Sequence, residues 1–292
     1  MNNETINISI SLLIVNVCIN ASHLSDNRIL DITDKLIHIL DTANDDIKLY
    51  CLYSIYALSQ LKDSVVCKVT SIGLKLMNMF NDNIRMNIFI LRYIGNSICL
   101  PDDYAEYYIN HGLLDKLVQL WDMIEDDKIK KEIMWILSNI TACNDKEIIM
   151  KVVETKLLQA ACDGVHNDLY EEKTLYEMRY VLANVCYSNS ENVICYLIQH
   201  NANIIANLVE IIKHEEGNAN NEKKASLLSI ALKGFINICT FCNKYSFDLS
   251  NILPLLNITD TLEQLQTSKV QNVSIRSTHL LSFFPHDTVD DL

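Results

Sequence analysis

Glu132, Trp135 and Asn139 stand at i, i+3 and i+7, a spacing that sets all three on one face if the segment is helical. The same offsets recur at Glu177, Tyr180 and Asn184, and again at Tyr53, Tyr56 and Gln60. A carboxamide both donates and accepts, so it can bond to a peptide N–H and C=O whatever the ligand's sequence. Tyr and Trp rings accept the aliphatic stems of Lys or Arg and add about 0.5–2 kcal/mol of cation–π attraction per contact. A carboxylate such as Glu132 would meet the charged head. The same residues have a packing role open to them, the rings in a core and the amides as helix-to-helix hydrogen bonders. On spacing alone the packing role is the commoner one.

The elements that must carry these sets repeat. An apolar helix with an amide near its end falls at Asn16, Gln60, Asn96, Asn139, Asn184 and Asn237, with gaps of 44, 36, 43, 45 and 53 residues. Ile133, Ile136, Leu137 and Ile140 line one side of such a helix while the amide occupies another. Between markers, YYINHGLLDKLVQLW, VVETKLLQAACDGV and LIQHNANIIANLVEII each place a polar break between two apolar segments, which predicts three helices per block. Only six Gly and three Pro occur, too few for the turns of a many-stranded sheet. A block of this size cannot bury its own apolar face, so neighbours must stack. The expected fold is all-α, an armadillo or HEAT-like solenoid. It forms one domain over 1–292: a partial repeat at 1–22, repeats at 23–62, 63–99, 100–142, 143–187 and 188–242, a capping repeat at 243–284 and an acidic tail at 285–292. The polar insert KHEEGNANNEKK, residues 213–224, has Ala219 as its one apolar residue and is expected to be a mobile surface loop.

Charge and composition exclude other classes. The formal charge of −13, from 37 acidic and 24 basic side chains, repels nucleic acid and attracts basic partners. Ile8 to Ile19 is too short to span a bilayer, and no Lys or Arg precedes it as in a secretory signal. The ten Cys sit singly on apolar stretches, as reduced thiols would. Cys239 and Cys242 have C-x-x-C spacing without a second pair at zinc-ligand distance. No nucleophile and base share a motif, so neither an enzyme nor a cofactor or metal site is expected.

KKEIMWILSNITACND, residues 130–145, resembles the importin-α repeat signature KKEACWTISNITAG nearly residue for residue. LRYIGNSIC at 91–99 resembles the repeat before it, including Arg92 four residues ahead of Asn96 where other repeats have Trp. YEMRYVLANVCYSNSENVICYLI at 176–198 resembles the repeat after it. In that register the chain covers the fourth to tenth repeats. The first repeats and the basic importin-β-binding arm have no counterpart, the first basic residue being Arg28, and Leu12 stands at the position of the fourth-repeat Trp. The resemblance implies an all-α armadillo-repeat solenoid with a right-handed superhelix, and a nuclear import adaptor that shuttles between cytoplasm and nucleus and binds basic nuclear localisation signals at a minor-type site. The matched positions are Arg92, Asn96, Asp102, Glu132, Trp135, Asn139, Glu177, Tyr180 and Asn184. Asn16, Tyr56 and Gln60 form a weaker groove. Tyr180 replaces the family's Trp and offers a smaller stacking face. The resemblance adds importin-β and an export receptor as partners, the latter at residues 246–292. The alternative is an armadillo scaffold for partners outside transport, since a fold does not fix a function.

Overall fold

The computed structural model describes residues 3–61, 70–100, 104–143, 145–201, 203–249 and 252–284. Every regular element among them is helical. The chain divides into two compact units, Met1–Ile140 and Thr141–Leu292.

Unit one holds α1 (Asn3–Ile19), α2 (Asp26–Thr42), α3 (Asp45–Leu58), α4 (Thr70–Met77), α5 (Ile84–Ile98), α6 (Tyr104–Asn110), α7 (Leu113–Met123) and all but the last residue of α8 (Asp127–Thr141). Local chemistry sets the helix starts. Asn44 and Asn83 accept from the backbone N–H of Ile47 and Met86, capping α3 and α5. Gly112, at φ 86° between α6 and α7, has the left-handed backbone that a side chain would strain. In α5, Met86, Ile90, Ile94 and Ile98 recur every four residues and are all buried. Their burial is worth about 1.5–3 kcal/mol each, which fixes the face α5 turns to the core. Lys130 is also buried: its ammonium donates to the Trp121 carbonyl at 2.6 Å and lies 4.2 Å from the centroid of that ring, tying α7 to α8. This lysine of the KKE signature holds the fold together and does not face a ligand. α1 leaves Ile10, Leu12, Leu13, Val17 and Ile19 exposed.

Unit two holds α9 (Lys146–Val153), α10 (Lys156–Gly164), α11 (Glu172–Tyr187), α12 (Glu191–His200), α13 (Ile204–Glu215), α14 (Ser226–Lys244), α15 (Thr259–Leu265) and α16 (Gln271–Leu281). The order short, short, long over α9 to α11 recurs, with longer helices, over α12 to α14. α14 has the length and hydropathy of a membrane span, but 72% of it is buried within the protein, where it packs on α11, α13 and α16. Gly234 permits the approach to α11, since a Cβ there would stand 2.8 Å from Cys186 Cβ. Arg276 of α16 donates to the carbonyl and hydroxyl of Ser229 at 2.7 and 2.8 Å, closing the end of the unit as a cap must.

The polar insert departs from expectation. Rather than a free loop, it continues α13 into a short 3-10 turn, Glu216–Asn218, and docks on the turn between α15 and α16. Ser268 Oγ donates to the Ala219 carbonyl at 2.6 Å, and the Lys269 N–H to Asn220 Oδ1 at 2.9 Å. Ala219, the insert's single apolar residue, is its buried anchor. The acidic tail at 285–292 lies outside the described residues.

Cys51, Cys162, Cys186, Cys239 and Cys242 are free and buried. Burial pushes the thiol of Cys51 up to about 11 and those of Cys162 and Cys239 to about 12, and raises Cys186 further. Alkylation of the native protein at pH 8 should therefore modify only Cys99, Cys143 and Cys195 among the described cysteines with any speed, as read by intact mass and peptide mapping. Gly234→Ala should lower stability by about 1–3 kcal/mol in a denaturant titration, despite the better helix propensity of Ala, because two helix backbones must separate.

Candidate functional site

In unit one the ring residues of α3 and α5 form a single cluster. Tyr53 stacks on Phe89 with centroids 4.8 Å apart and planes 13° from parallel, and Tyr56 tilts against the same ring at 5.9 Å. Arg92 lies over the Tyr56 ring, 5.8 Å from its centroid. Gln60 donates to the Tyr56 hydroxyl at 3.0 Å. With Ile19 at the far side, these residues line a groove of about 560 Å³. Phe89 was not among the expected site residues. It sits seven residues before Asn96, as Tyr53 does before Gln60 and Glu132 before Asn139, so the recurring offset applied to α5 locates it.

Glu132 does not present a carboxylate to an incoming cation. It is 2% exposed, and Arg92 Nε donates to its Oε1 at 2.8 Å while the Lys131 ammonium stands 3.4 Å from Oε2. A carboxylate removed from water must be paired, and two cations of the same chain pair this one. Trp135 on the same helix packs against Gly95: a Cβ there would lie 2.2 Å from its Cζ3. Lys131 is 5.5 Å from the Trp135 centroid. The expected exposed strip of Glu132, Trp135 and Asn139 is thus part core, part surface. The rings of Tyr56 and Trp135 already have cations of the protein beside them.

The amides divide in the same way. Asn96 Nδ2 donates to Ser59 Oγ at 3.0 Å. In unit two, Asn237 Nδ2 donates to the carbonyls of Cys186 and Tyr187, both at 3.1 Å. Asn184, expected to face a ligand, is 6% exposed, and its Nδ2 is 3.5 Å from Thr141 Oγ1. Each of these amides reaches the end of the preceding long helix, where backbone and hydroxyl groups need partners. Asn139 differs. It is half-buried, and its Nδ2 has no partner among the described residues. Asn16 is exposed, its carbonyl accepting from Asn20 Nδ2 at 2.9 Å. Asp102 lies outside the described residues.

In unit two Tyr180 is half-buried and meets Tyr176 edge-on, centroids 5.0 Å apart and planes at 71°. The hydrogen bond from Tyr176 to Tyr180, with burial and nearby carboxylates, raises the Tyr176 hydroxyl well above the usual tyrosine range. Glu177, half-buried, stands between them in sequence on the same helix. Arg179 is turned inward, donating to Glu172 at 2.6 Å, so no cation of α11 stands over these rings as Arg92 does over Tyr56. Tyr176 was also unanticipated. It lies eight residues before the marker Asn184, one position outside the offset that identified the others.

The sequence matches no protein-family model and no curated protein. Solved structures are more informative. The chain is similar to the designed armadillo repeat protein YIII(Dq)4CqI, with a TM-score of 0.67 and 18% identity over 86% of this chain and 99% of that one. This is the armadillo-repeat fold. A set of computationally designed armadillo repeat proteins for modular peptide recognition matches with the same TM-score, identity and coverage. The designed protein YIII(Dq.V1)4CPAF, solved in complex with the peptide (KR)4, matches at a TM-score of 0.64 and 18% identity, over 86% of this chain and 98% of that one. At these identities the likeness establishes the architecture alone.

The Arg92–Glu132 pair admits a direct check. Arg92→Ala strands a buried carboxylate and should cost roughly 2–3 kcal/mol, below the figure for a fully buried pair because Arg92 is 38% exposed. Adding Glu132→Gln should recover most of the loss. Chemical denaturation of the single and double variants measures both, and equal stability of wild type and Arg92→Ala would remove the pair from the account.

Proposed function

We propose that this protein is a non-catalytic adaptor that holds extended segments of partner proteins, and that basic segments of the nuclear-localisation type bind the α11 surface of unit two. The observation that carries this reading is the edge-on ring pair of Tyr176 and Tyr180 on α11. Separately, in unit one, Asn139 Nδ2 has no partner among the described residues, while Asn96 in the same register is engaged. An unmet donor of this kind costs about 1–3 kcal/mol, and a peptide carbonyl that drew the side chain outward would relieve it. Support for a basic ligand comes from Tyr176, Glu177 and Tyr180, which join two rings and a carboxylate with Arg179 turned away. The net charge of −13 favours the same ligand at long range. The designed relative solved with (KR)4 shows that an armadillo surface can accept alternating Lys and Arg. On this reading the protein moves between cytoplasm and nucleus with its cargo. Importin-β and an export receptor belong to the same proposal and rest on the sequence resemblance.

A scaffold outside transport is the second reading, favoured by Arg92 and Lys131 beside the very rings that would grip a basic signal in unit one.

Fluorescence polarisation with a labelled Lys/Arg-rich peptide and an acidic control separates the two. The import reading expects binding of the basic peptide that weakens with salt, since its contacts near the surface are screened over about 8 Å at physiological ionic strength. Tyr180→Ala should raise Kd by roughly 2- to 30-fold, the range of one cation–π contact. A basic peptide that fails to bind, or binds alike to wild type and Tyr180→Ala, would refute it.

A further inference from the structure

The groove of unit one has the opposite electrostatic character from the α11 surface, and that difference names a ligand. Its floor is aromatic: Tyr53, Tyr56 and Phe89 in mutual contact, two of them nearly parallel. Its charged group is Arg92. Only Nε of that guanidinium is committed, to Glu132, and the two terminal nitrogens have no partner among the described residues. The side chain is 38% exposed and lines the groove. Arg92, Lys131 and Glu132 together sum to one positive charge, on a chain whose total is −13. A Lys or Arg brought here meets a like charge and finds the carboxylate already buried, and like charges set face to face oppose association.

We infer that this groove binds a peptide segment in which an aromatic or large aliphatic side chain is followed or preceded closely by a carboxylate. The apolar side chain lies on the Tyr53, Tyr56 and Phe89 rings, where offset or edge-on aromatic contact adds to burial. The carboxylate takes the free end of the Arg92 guanidinium, whose paired terminal N–H groups match two carboxylate oxygens. The volume of about 560 Å³ falls within the range of sites that enclose a specific ligand. Gln60, exposed at the edge and bonded to Tyr56, supplies an amide for the peptide backbone. The inference rests on the peptide-binding reading above but not on its basic ligand. It gives the protein two surfaces of different selectivity.

Four capped octapeptides test it by fluorescence polarisation on the full chain: one containing Glu-Phe-Asp, one with both carboxylates changed to Lys, one with Phe changed to Ala, and one carrying phosphotyrosine in place of the carboxylates. Gln60 is exposed, so its charge can be altered without disturbing the core. Gln60→Lys should tighten the Glu-Phe-Asp peptide and the near-isosteric Gln60→Glu weaken it, each by about two- to fivefold as expected of one surface charge. Phe89→Ala should weaken it at least as much and leave the Tyr180-dependent binding of a Lys/Arg-rich peptide unchanged. The Ala peptide should bind several-fold more weakly than the Phe peptide. The proposal is overturned if the Lys-containing peptide binds better than the acidic one and tightens with Gln60→Glu, which would make the groove a cation site. It is equally overturned if a phosphotyrosine peptide binds with the Gln60 charge dependence and the carboxylate peptide does not. Loss of acidic-peptide binding with basic binding intact sinks this inference alone, and the converse sinks only the import reading.

Discussion

Neighbouring long helices in this protein are joined by an amide near the end of one reaching the last turn of the one before. Asn96 reaches Ser59, Asn184 reaches Thr141, and Asn237 reaches two carbonyls at the end of α11. Apolar burial drives the helices together but is indifferent to sliding, whereas a carboxamide aimed at a helix terminus is satisfied in one register only. The groups it meets are those that a helix end leaves without intrahelical partners. With the register of α3 and α5 fixed, the residues four and seven positions ahead of Gln60 fall beside those four and seven positions ahead of Asn96. That is how Tyr53, Tyr56, Phe89 and Arg92 come to share a groove.

The same constraint explains why Asn139 stands apart. It occupies the marker position of the signature segment, yet its buried Nδ2 has no partner among the described residues. Glu132 on the same helix has gone the other way. Arg92 and Lys131 neutralise it, which moves positive charge onto the surface where a negative one was expected. The residue types of a basic-peptide site are present in both units, but in unit one their pairing reverses the charge that a ligand meets.

The sequence by itself determined the all-helical class and the apolar face that each helix buries. These follow from apolar spacing within one helix, from caps such as Asn44 and Asn83, and from the left-handed glycine at Gly112, all of which act over a few residues. It also placed rings, carboxylates and amides at constant offsets, so that Phe89 was legible from the pattern that gave Tyr53. Only the tertiary structure decided which of those groups remain available. Arg92 and Glu132 are 40 residues apart, Asn184 and Thr141 are 43, and the insert is held by Ser268 from 49 residues away. Periodicity along one helix carries no information about the side chain that a neighbouring helix brings alongside. A carboxylate that looks outward on a helical wheel becomes a buried, neutralised group once an arginine from another helix closes over it.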